Sequence, residues 1–413
     1  MSELHFYYDV VCPYAYMAAT RVEDFAAAHG VSLIWKPVLL GGFFRKLDMP
    51  DVPASTYAPA KARLNLLDVY RSAERLGLDR VRFPQWHPRR SVDAMRLLIA
   101  APADLRPQLS LELYRAYWER HEDIADHTVL ARYAQAAGLA PDLYRSDDVK
   151  QDLIDATSAA HEAGVFGVPT YQVVHGDEHH EVWWGQDRLH FVSRQLGRGR
   201  DHALPWTRGT VGGEGPRPER VAFFHDFASP FSYLASTQID SVAAACTADV
   251  ERVPILLGAL FQAIGTANVP LYTFHERKRD HYGRDMGAWA RWWGVDLLWP
   301  DTFPLRTVLP LRVAIVEPQS EAAMYRAAWV DDLDIGTSEV LESVLDAAGF
   351  PGRELIAATR DPAVKRTLRD NTDRAIEAGV CGVPTFEVDG RLYWGQDRIP
   401  MLQDVLGGWQ PSC

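Results

Sequence analysis

Cys12 and Ser229 are the residues best suited to chemistry, because each directly precedes a proline at the predicted start of a helix. The segments are Asp-Val-Val-Cys-Pro-Tyr-Ala-Tyr and Asp-Phe-Ala-Ser-Pro-Phe-Ser-Tyr. A helix N-terminus favours an anion, so Cys12 is a candidate thiolate and Ser229 a candidate hydrogen-bond donor to a bound anion. Two other interpretations stay open: Ser229 as an ordinary N-cap and Cys12 as a small buried side chain.

The chain contains four cysteines, Cys12, Cys246, Cys381 and Cys413. Position 15 is alanine, so Cys12 cannot cycle a Cys-x-x-Cys disulfide, although it could form a mixed disulfide with a small thiol. So few cysteines in so long a chain do not make a disulfide framework, and no His/Cys cluster has zinc-ligand spacing. Cys381 precedes a Gly-Val-Pro-Thr motif, where burial is the favoured interpretation.

Gly-Val-Pro-Thr occurs at 167–170 and again at 382–385. Proline fixes φ and removes a donor. A cis bond, expected at Val168-Pro169 and Val383-Pro384, would leave the valine N–H and C=O facing a ligand. The motif therefore predicts a backbone binding edge for a peptide-like molecule.

Trp-Gly-Gln-Asp-Arg occurs at 184–188 and 394–398. An Asp-Arg pair before a helix can bind an amino-acid end group, with Asp397 on the ammonium and Arg398 or helix N–H groups on the carboxylate. The alternative is an N-cap at Asp397 with Arg398 on a solvated face. Recurrence at Asp187 can also reflect inheritance rather than use.

The motifs recur in the same order with offsets of 217, 215 and 210 residues, which indicates a duplicated domain rather than a solenoid unit. We predict two domains, 1–197 and 220–413, called copy one and copy two below. A Gly-, Pro- and Arg-rich linker is predicted at 198–219.

Each copy is predicted to form a β-α-β unit, a helical insertion, and a closing strand, hairpin and helix. First strands are predicted at 4–8 and 221–225, and one helix is predicted from Tyr16 to His29. The fold class is therefore α/β, with two thioredoxin-like domains that each carry a helical insertion.

Composition excludes some functions. A net charge of −12 and a pI near 5.6 argue against nucleic-acid binding. No apolar run approaches the roughly 20 residues of a membrane span. Without a basic leader, and with a strand-like start at Leu4, the expected location is the cytoplasm.

Copy two resembles 2-hydroxychromene-2-carboxylate isomerases, relatives of the kappa-class glutathione transferases in the DsbA-like thioredoxin superfamily. The resemblance rests on Asp226-Phe-Ala-Ser-Pro-Phe-Ser-Tyr-Leu234, Gly382-Val-Pro-Thr385 and Trp394-Gly-Gln-Asp-Arg398, and it extends more loosely to copy one. It implies a glutathione site whose contacts in copy two are Ser229 with the sulfur, Val383 and Pro384 with the backbone, Asp397 with the γ-glutamyl end, and Asn268 and Lys278.

Copy one departs from this pattern, because Cys12-Pro-Tyr-Ala replaces Ser-Pro-Phe-Ser and Asp51-Val-Pro53 replaces Asn-x-Pro. It keeps counterparts of several implied glutathione contacts, namely Val168, Pro169, Asp187 and Lys61. The resemblance therefore implies a glutathione-handling set that is complete in copy two and incomplete in copy one.

The resemblance implies a glutathione-dependent isomerase that acts on a conjugated small molecule, with the two copies as an intramolecular pseudo-dimer. Two alternatives stay open: glutathione transfer or thiol-disulfide chemistry at Cys12, and a non-catalytic pseudo-dimer. Four side chains are candidates to line a pocket for an aromatic carboxylate, although core or surface helix positions also explain them: Arg279, Tyr282, Trp289 and Trp292.

Overall fold

The computed structural model describes residues 2–50, 52–176, 178–198 and 213–413. Unit 1 takes the described residues of Met1–Thr56 and Val69–Thr210 together with Cys413, and unit 2 takes Tyr57–Asp68 and Val211–Ser412. The segment Tyr57–Asp68 thus belongs to unit 2, although the sequence repeat places it in copy one. Of the predicted linker, residues 199–212 lie outside the described residues.

Copy one follows the predicted order of a β-α-β start, a run of helices and a closing hairpin with a helix. Its strands are β1 Ser2–Tyr8, β2 Ser32–Pro37, β3 Thr170–His175 and β4 Glu178–Trp184. Its helices are α1 Pro13–Ala19, α2 Val22–His29, α3 Leu40–Lys46, α4 Pro59–Arg75, α5 Val92–Ala100, α6 Arg106–Trp118, α7 His127–Ala136, α8 Asp147–Glu162 and α9 Leu189–Gln195.

Copy two repeats that order. Its strands are β5 Arg220–His225, β6 Asp249–Pro254, β7 Thr385–Val388 and β8 Arg391–Trp394. Its helices are α10 Pro230–Ala245, α11 Leu257–Ala263, α12 Glu276–Trp293, α13 Val308–Val316, α14 Glu321–Trp329, α15 Ser338–Ala347, α16 Gly352–Ala358, α17 Pro362–Ala378 and α18 Ile399–Leu406.

The two sheets have the same topology over the described residues, in the orders β2-β1-β3-β4 and β6-β5-β7-β8. In each sheet the first two strands are parallel and the remaining pairs are antiparallel. The register places Phe6 opposite Trp35 and Tyr171, and Phe223 opposite Arg252 and Phe386. This β-α-β start with a closing antiparallel hairpin confirms the predicted thioredoxin-like α/β fold.

Alternation along β5 builds the core of unit 2, because successive side chains of a strand point to opposite faces of the sheet. Val221 and Phe223 pack with α10 and α18 on one face, whereas Ala222 and Phe224 pack in a second cluster on the other. That second cluster includes Leu64 of the Tyr57–Asp68 segment. The segment is therefore anchored in unit 2 by an apolar contact beneath the sheet.

The single helix predicted from Tyr16 to His29 is wrong, because the structure has two helices, α1 and α2. The break at Thr20 and Arg21 has a local cause. Thr20 Oγ1 and Arg21 Nε both donate to the Met17 carbonyl, and Arg21 Nη2 donates to the backbone oxygen of Gln186. These side-chain bonds satisfy backbone groups that would otherwise continue one helix.

Candidate functional site

Ser229 lies at the N-cap of α10, with extended backbone (φ −104°, ψ 116°) and Pro230 as the first helical residue. Its Oγ accepts from the Ser232 N–H at 3.2 Å and donates to the Val383 carbonyl at 3.0 Å. The side chain therefore caps the helix and also links it to the Gly-Val-Pro-Thr loop. The N-cap interpretation is confirmed, and it leaves the hydroxyl at the helix N-terminus where an anion is favoured.

The Val383-Pro384 peptide bond is cis, as expected, and so is Val168-Pro169. Val383 is buried, and its N–H makes no hydrogen bond to any of the described residues. Buried backbone N–H groups are nearly always paired, so an unpaired one beside Ser229 marks a place for a ligand acceptor. Pro384 is held on its other side, because its carbonyl accepts from the Gly395 N–H at 2.9 Å.

Asp226 positions the loop that carries Ser229, a role that the sequence analysis did not assign. Its carboxylate accepts from the backbone N–H groups of Ala228 at 2.9 Å and Leu257 at 2.8 Å, and the Thr307 hydroxyl also bonds to it. Burial raises the pKa of Asp226, and the hydrogen bonds oppose that rise. The sequence signal for this role is an aspartate three residues before the serine or the cysteine in both copies. Asp9 holds the copy-one loop in the same way, because its carboxylate accepts from the backbone N–H groups of Val11 and Leu40.

The Trp-Gly-Gln-Asp-Arg motif of copy two begins as a tight turn. Gly395 has φ +110°, and a Cβ there would stand 2.5 Å from Asp397 Oδ1, so both the backbone conformation and the close carboxylate require glycine. Arg398 donates from Nε and Nη2 to Asp68 at 2.5 and 3.1 Å, and its Nη1 lies 3.4 Å from Asp397. Because Arg398 is engaged by two carboxylates, helix N–H groups or another cation are better placed for a ligand carboxylate.

Lys61 is such a cation, and it comes from the copy-one segment inside unit 2. Its Nζ lies 4.3 Å from the ring centre of Tyr57 and 5.8 Å from that of Trp394, the residue before Gly395. Burial lowers the pKa of Lys61, whereas a negative charge on Cys381 would raise it. The structure therefore places Lys61 beside the late motif of copy two rather than in a copy-one site.

Asn268 and Lys278 lie on either side of the short 3₁₀ turn Pro270–Thr273, which follows α11. Asn268 is exposed, and its Oδ1 would stand 3.1 Å from a Cβ on Gly258. Lys278 Nζ lies 4.3 Å from the ring centre of Phe274, and burial together with the nearby Lys61 charge lowers its pKa to about 8.

Of the candidate pocket residues, Tyr282 is accessible and lies near Phe231 with a ring-centre distance of 6.3 Å. Arg279 is exposed. Trp289 and Trp292 are buried, so they do not line an open pocket. The core interpretation explains these two tryptophans better.

Cys12 occupies the equivalent place in copy one as the N-cap residue of α1, and its Sγ lies 3.3 Å from the Val168 carbonyl, but its side chain makes no capping hydrogen bond with the helix. The expected lowering of the thiol pKa is wrong. Burial raises the pKa of Cys12 to about 12, a negative Asp9 adds to the rise, and the backbone N–H groups of Ala15 and Tyr14 offset it only partly. Cys12 is therefore a protonated thiol at neutral pH.

The Asp-Arg pair of the late motif is also present in copy one. Asp187 pairs with Arg188 at 2.8 Å, and the positive charge of the buried Arg21 is also close to Asp187. Cys381 in copy two is buried, which raises the pKa of its thiol to about 12 and supports the burial interpretation.

Within the described ranges, no group of three or more His, Cys, Asp or Glu side chains could hold a metal ion. In the same ranges, no helix is both long and apolar enough to cross a bilayer.

Comparisons with known proteins agree with the repeat. The model of the DSBA-like thioredoxin domain matches residues 3–197 and 220–407. A 2-hydroxychromene-2-carboxylate isomerase of Pseudomonas putida is 27% identical over 198 residues, which are 45% of this chain and 94% of that protein. A rat (Rattus norvegicus) glutathione S-transferase kappa 1 is 26% identical over 208 residues, covering 47% and 90% respectively. A solved 2-hydroxychromene-2-carboxylate isomerase is similar at 25% identity and a TM-score of 0.41, covering 46% and 94%.

Proposed function

The chain belongs to the DsbA-like thioredoxin family, and from that premise we propose that it is a glutathione-dependent isomerase whose working site lies in copy two. One observation carries the proposal: the Ser229 hydroxyl and the unpaired Val383 N–H lie together at the N-terminus of α10. The relatives named as 2-hydroxychromene-2-carboxylate isomerases support the reaction class.

The residues present fit glutathione at three points. The Val383 N–H and C=O offer a donor and an acceptor to the peptide backbone, in the manner of a short added strand. The Asp397 carboxylate suits the ammonium of the γ-glutamyl end, and Lys61 or Lys278 suits a carboxylate. Because Asp68 already pairs with Arg398, the Arg398 guanidinium orients Asp397 rather than binding the ligand directly.

Bound glutathione supplies a sulfur nucleophile that adds to a conjugated double bond and later leaves it, which permits rotation about the former double bond. Ser229 turns its hydroxyl from the Val383 carbonyl to the sulfur, and this donor together with the dipole of α10 lowers the thiol pKa. The same turn frees the Val383 carbonyl to accept a hydrogen bond. The Ser229–Val383 bond at 3.0 Å therefore holds both groups ready in the free protein.

Glutathione transfer at the same site is the second candidate, because further relatives are named glutathione S-transferase kappa 1. Both reactions need the same activated sulfur. They differ in the fate of glutathione, which is consumed by transfer and released unchanged by isomerisation. Cys12 chemistry is less well supported, because burial raises the pKa of its thiol to about 12.

The test is an ultraviolet difference spectrum of glutathione with the protein, followed by turnover of an aromatic unsaturated α-keto acid. A thiolate band that Ser229→Ala removes, with isomer formed and glutathione conserved, supports the proposal. Absence of the band in the native protein would falsify it. Loss of free glutathione in step with substrate would instead assign transfer.

A further inference from the structure

Helices α8 and α17 hold equivalent places in copy one and copy two. The Leu39 N–H donates to Thr157 Oγ1 of α8 at 3.0 Å, and the Leu256 N–H donates to Thr372 Oγ1 of α17 at 3.1 Å. Both threonines are buried, so the two helices pack on their own domains through the same face. Residues 215 apart in α8 and α17 are therefore counterparts, and the opposite faces of the helices can be compared position by position.

The exposed face of α8 is acidic over residues 147–155, and it is called the acidic face below. It carries Asp147, Asp148, Asp152 and Asp155 against one lysine, Lys150. The first two aspartates suit a helix N-terminus, but Asp152 and Asp155 lie beyond the first turn, where that benefit is lost. Asp152 is also four residues from Asp148 and three from Asp155, so like charges are neighbours and weaken the helix. Within the described ranges none of the four carboxylates forms an ion pair.

The counterpart face of α17 is basic over residues 362–369, and it is called the basic face below. It carries Lys365, Arg366 and Arg369, all exposed, and no acidic residue. Arg369 is three residues from Arg366 and four from Lys365, so like charges again repel on one helix surface. None of the three forms an ion pair with another described residue, whereas Arg374 of the same helix pairs with Glu251 at 2.7 Å.

The acidic face also contains an exposed apolar side chain. Ile154 is 48% exposed, and its counterpart on the basic face is Arg369. Arginine suits a surface of this composition, because its aliphatic stem covers an apolar group while its guanidinium reaches a carboxylate. The two faces are therefore complementary in charge and in apolar surface.

Opposite charge on equivalent faces is a consequence of the duplication. In an assembly of identical single domains, a helix that meets its own copy across a two-fold axis faces like charges. In the tandem chain the two helices vary independently. The acidic helix of one chain can therefore meet the basic helix of another, and each then supplies the counter-charges that the other lacks.

We propose that the acidic face of α8 binds the basic face of α17 on a second copy of this chain, so that the tandem protein self-associates. Relief of like-charge repulsion on both helices and coverage of Ile154 drive the contact. Salt screens exposed charges, with a Debye length of about 30 Å at 0.01 M and about 3 Å at 1 M, so the association belongs to low ionic strength. The proposal goes beyond the proposed function, because neither face carries a residue of the glutathione site.

The test is sedimentation velocity of the full chain over a range of concentrations, in low and in high salt. Two double variants give both helices one sign of charge. Asp152→Lys with Asp155→Lys, the all-basic variant, reverses the acidic face. Arg366→Glu with Arg369→Glu, the all-acidic variant, reverses the basic face.

The matched control is Arg80→Glu with Arg90→Glu. These two arginines are exposed in copy one outside the acidic face. Their reversal changes the net charge of the chain by the same amount as the all-acidic variant does. A general effect of net charge therefore appears in both variants, whereas a specific contact is lost only in the all-acidic variant.

The native protein and the control are expected to form species heavier than the 46.4 kDa chain in low salt and to sediment as single chains in high salt. Each double variant alone weakens self-association by more than about tenfold, because like charges then face each other. An equimolar mixture of the two variants restores it, since basic helices meet acidic ones again. A native protein that stays a single chain in low salt overturns the proposal, and so does a mixture that associates no better than either variant alone.

Discussion

Copy one and copy two share a sheet topology and a first helix that begins with proline, yet they differ at the residue before that proline. Copy two places the Ser229 hydroxyl there, and it donates to the Val383 carbonyl at 3.0 Å. Copy one places the Cys12 thiol there, and burial raises the pKa of that thiol to about 12. The scaffold was therefore retained in both copies, while the chemistry of the residue at the start of the first helix differs.

A second difference lies in the cores. In copy two, Glu321 lies 3.1 Å from His225 Nε2 and 2.8 Å from Arg252 Nε. The copy-one counterparts of His225 and Glu321 are neutral, Tyr8 and Ser110, and their hydroxyl oxygens lie 2.7 Å apart. Copy two thus holds a charged network around Glu321 and Arg252, where copy one has the Tyr8–Ser110 hydrogen bond and a second bond from Ser110 Oγ to the Arg106 carbonyl at 2.7 Å.

The largest effect on stability is expected from breaking that charged network. Glu321→Ala should lower the free energy of unfolding by roughly 2–4 kcal/mol, because His225 loses its buried partner, whereas Arg252 keeps Asp240 at 2.7 Å. Ser110→Ala should cost only about 1 kcal/mol. Urea denaturation of both variants measures the difference, and equal losses would contradict the contrast between the two cores.

Ser229→Ala is expected to reduce isomerase turnover by about 10²–10³-fold, as removal of one preorganised donor to a developing or resident anion does in other enzymes. Cys12→Ser should change turnover by less than about twofold, because the hydrogen bond of its thiol goes to the Val168 carbonyl of copy one. Steady-state kinetics of the two variants measure both effects on turnover. The reverse ranking would place the working site in copy one.

Asp397→Asn should weaken glutathione binding by about ten- to a hundredfold, because a charge-assisted hydrogen bond to the ammonium is lost. Asp187→Asn is the matched change in copy one and should leave the affinity unchanged. Calorimetric titration measures both. Equal weakening by the two variants would mean that both late motifs bind the ligand.

Lys278 is expected to make the stability of the protein depend on pH. Its pKa in the folded protein, about 8, lies below its ordinary value of 10.5, so the unfolded chain binds more protons between these values. Stability contributed by this site therefore rises with pH from about 8 to 10.5, and Lys278→Met should remove roughly 1–2 kcal/mol of that rise. Thermal denaturation across this pH range tests it, with Lys365→Met on the exposed face of α17 as the control; no difference between the variants would refute the depressed pKa.

The smallest effect concerns the thiols. Because burial raises the pKa of Cys12 to about 12, iodoacetamide at pH 8 should modify the less buried Cys413 well before Cys12. Peptide mass spectrometry after timed quenching gives the order. Rapid labelling of Cys12 would show an accessible thiolate and would restore copy one as a candidate site.

Much of the fold followed from local signals in the sequence. The repeated motifs predicted two thioredoxin-like domains, and Val-Pro in each predicted the cis bonds at Pro169 and Pro384, but not those at Pro88 and Pro304. The N-cap at Ser229 was one of two open interpretations, and the structure confirms it, with the hydroxyl donating to the Val383 carbonyl. These features depend on neighbours in sequence, which is why spacing alone revealed them.

Other features depend on tertiary contacts that spacing does not encode. The assignment of Tyr57–Asp68 to unit 2, and with it the Asp68–Arg398 pair, required the fold. The Cys12 prediction failed because helix position lowers a thiol pKa while burial raises it, and burial is a property of the packed chain.

The central claim is that copy two alone handles glutathione. Isothermal calorimetry of the full chain with glutathione, repeated with Asp397→Asn and Asp187→Asn, counts the bound molecules directly. The account predicts one molecule per chain, with an affinity that Asp397→Asn lowers by about ten- to a hundredfold and Asp187→Asn leaves unchanged. Two molecules per chain, or one that depends on Asp187, would contradict it.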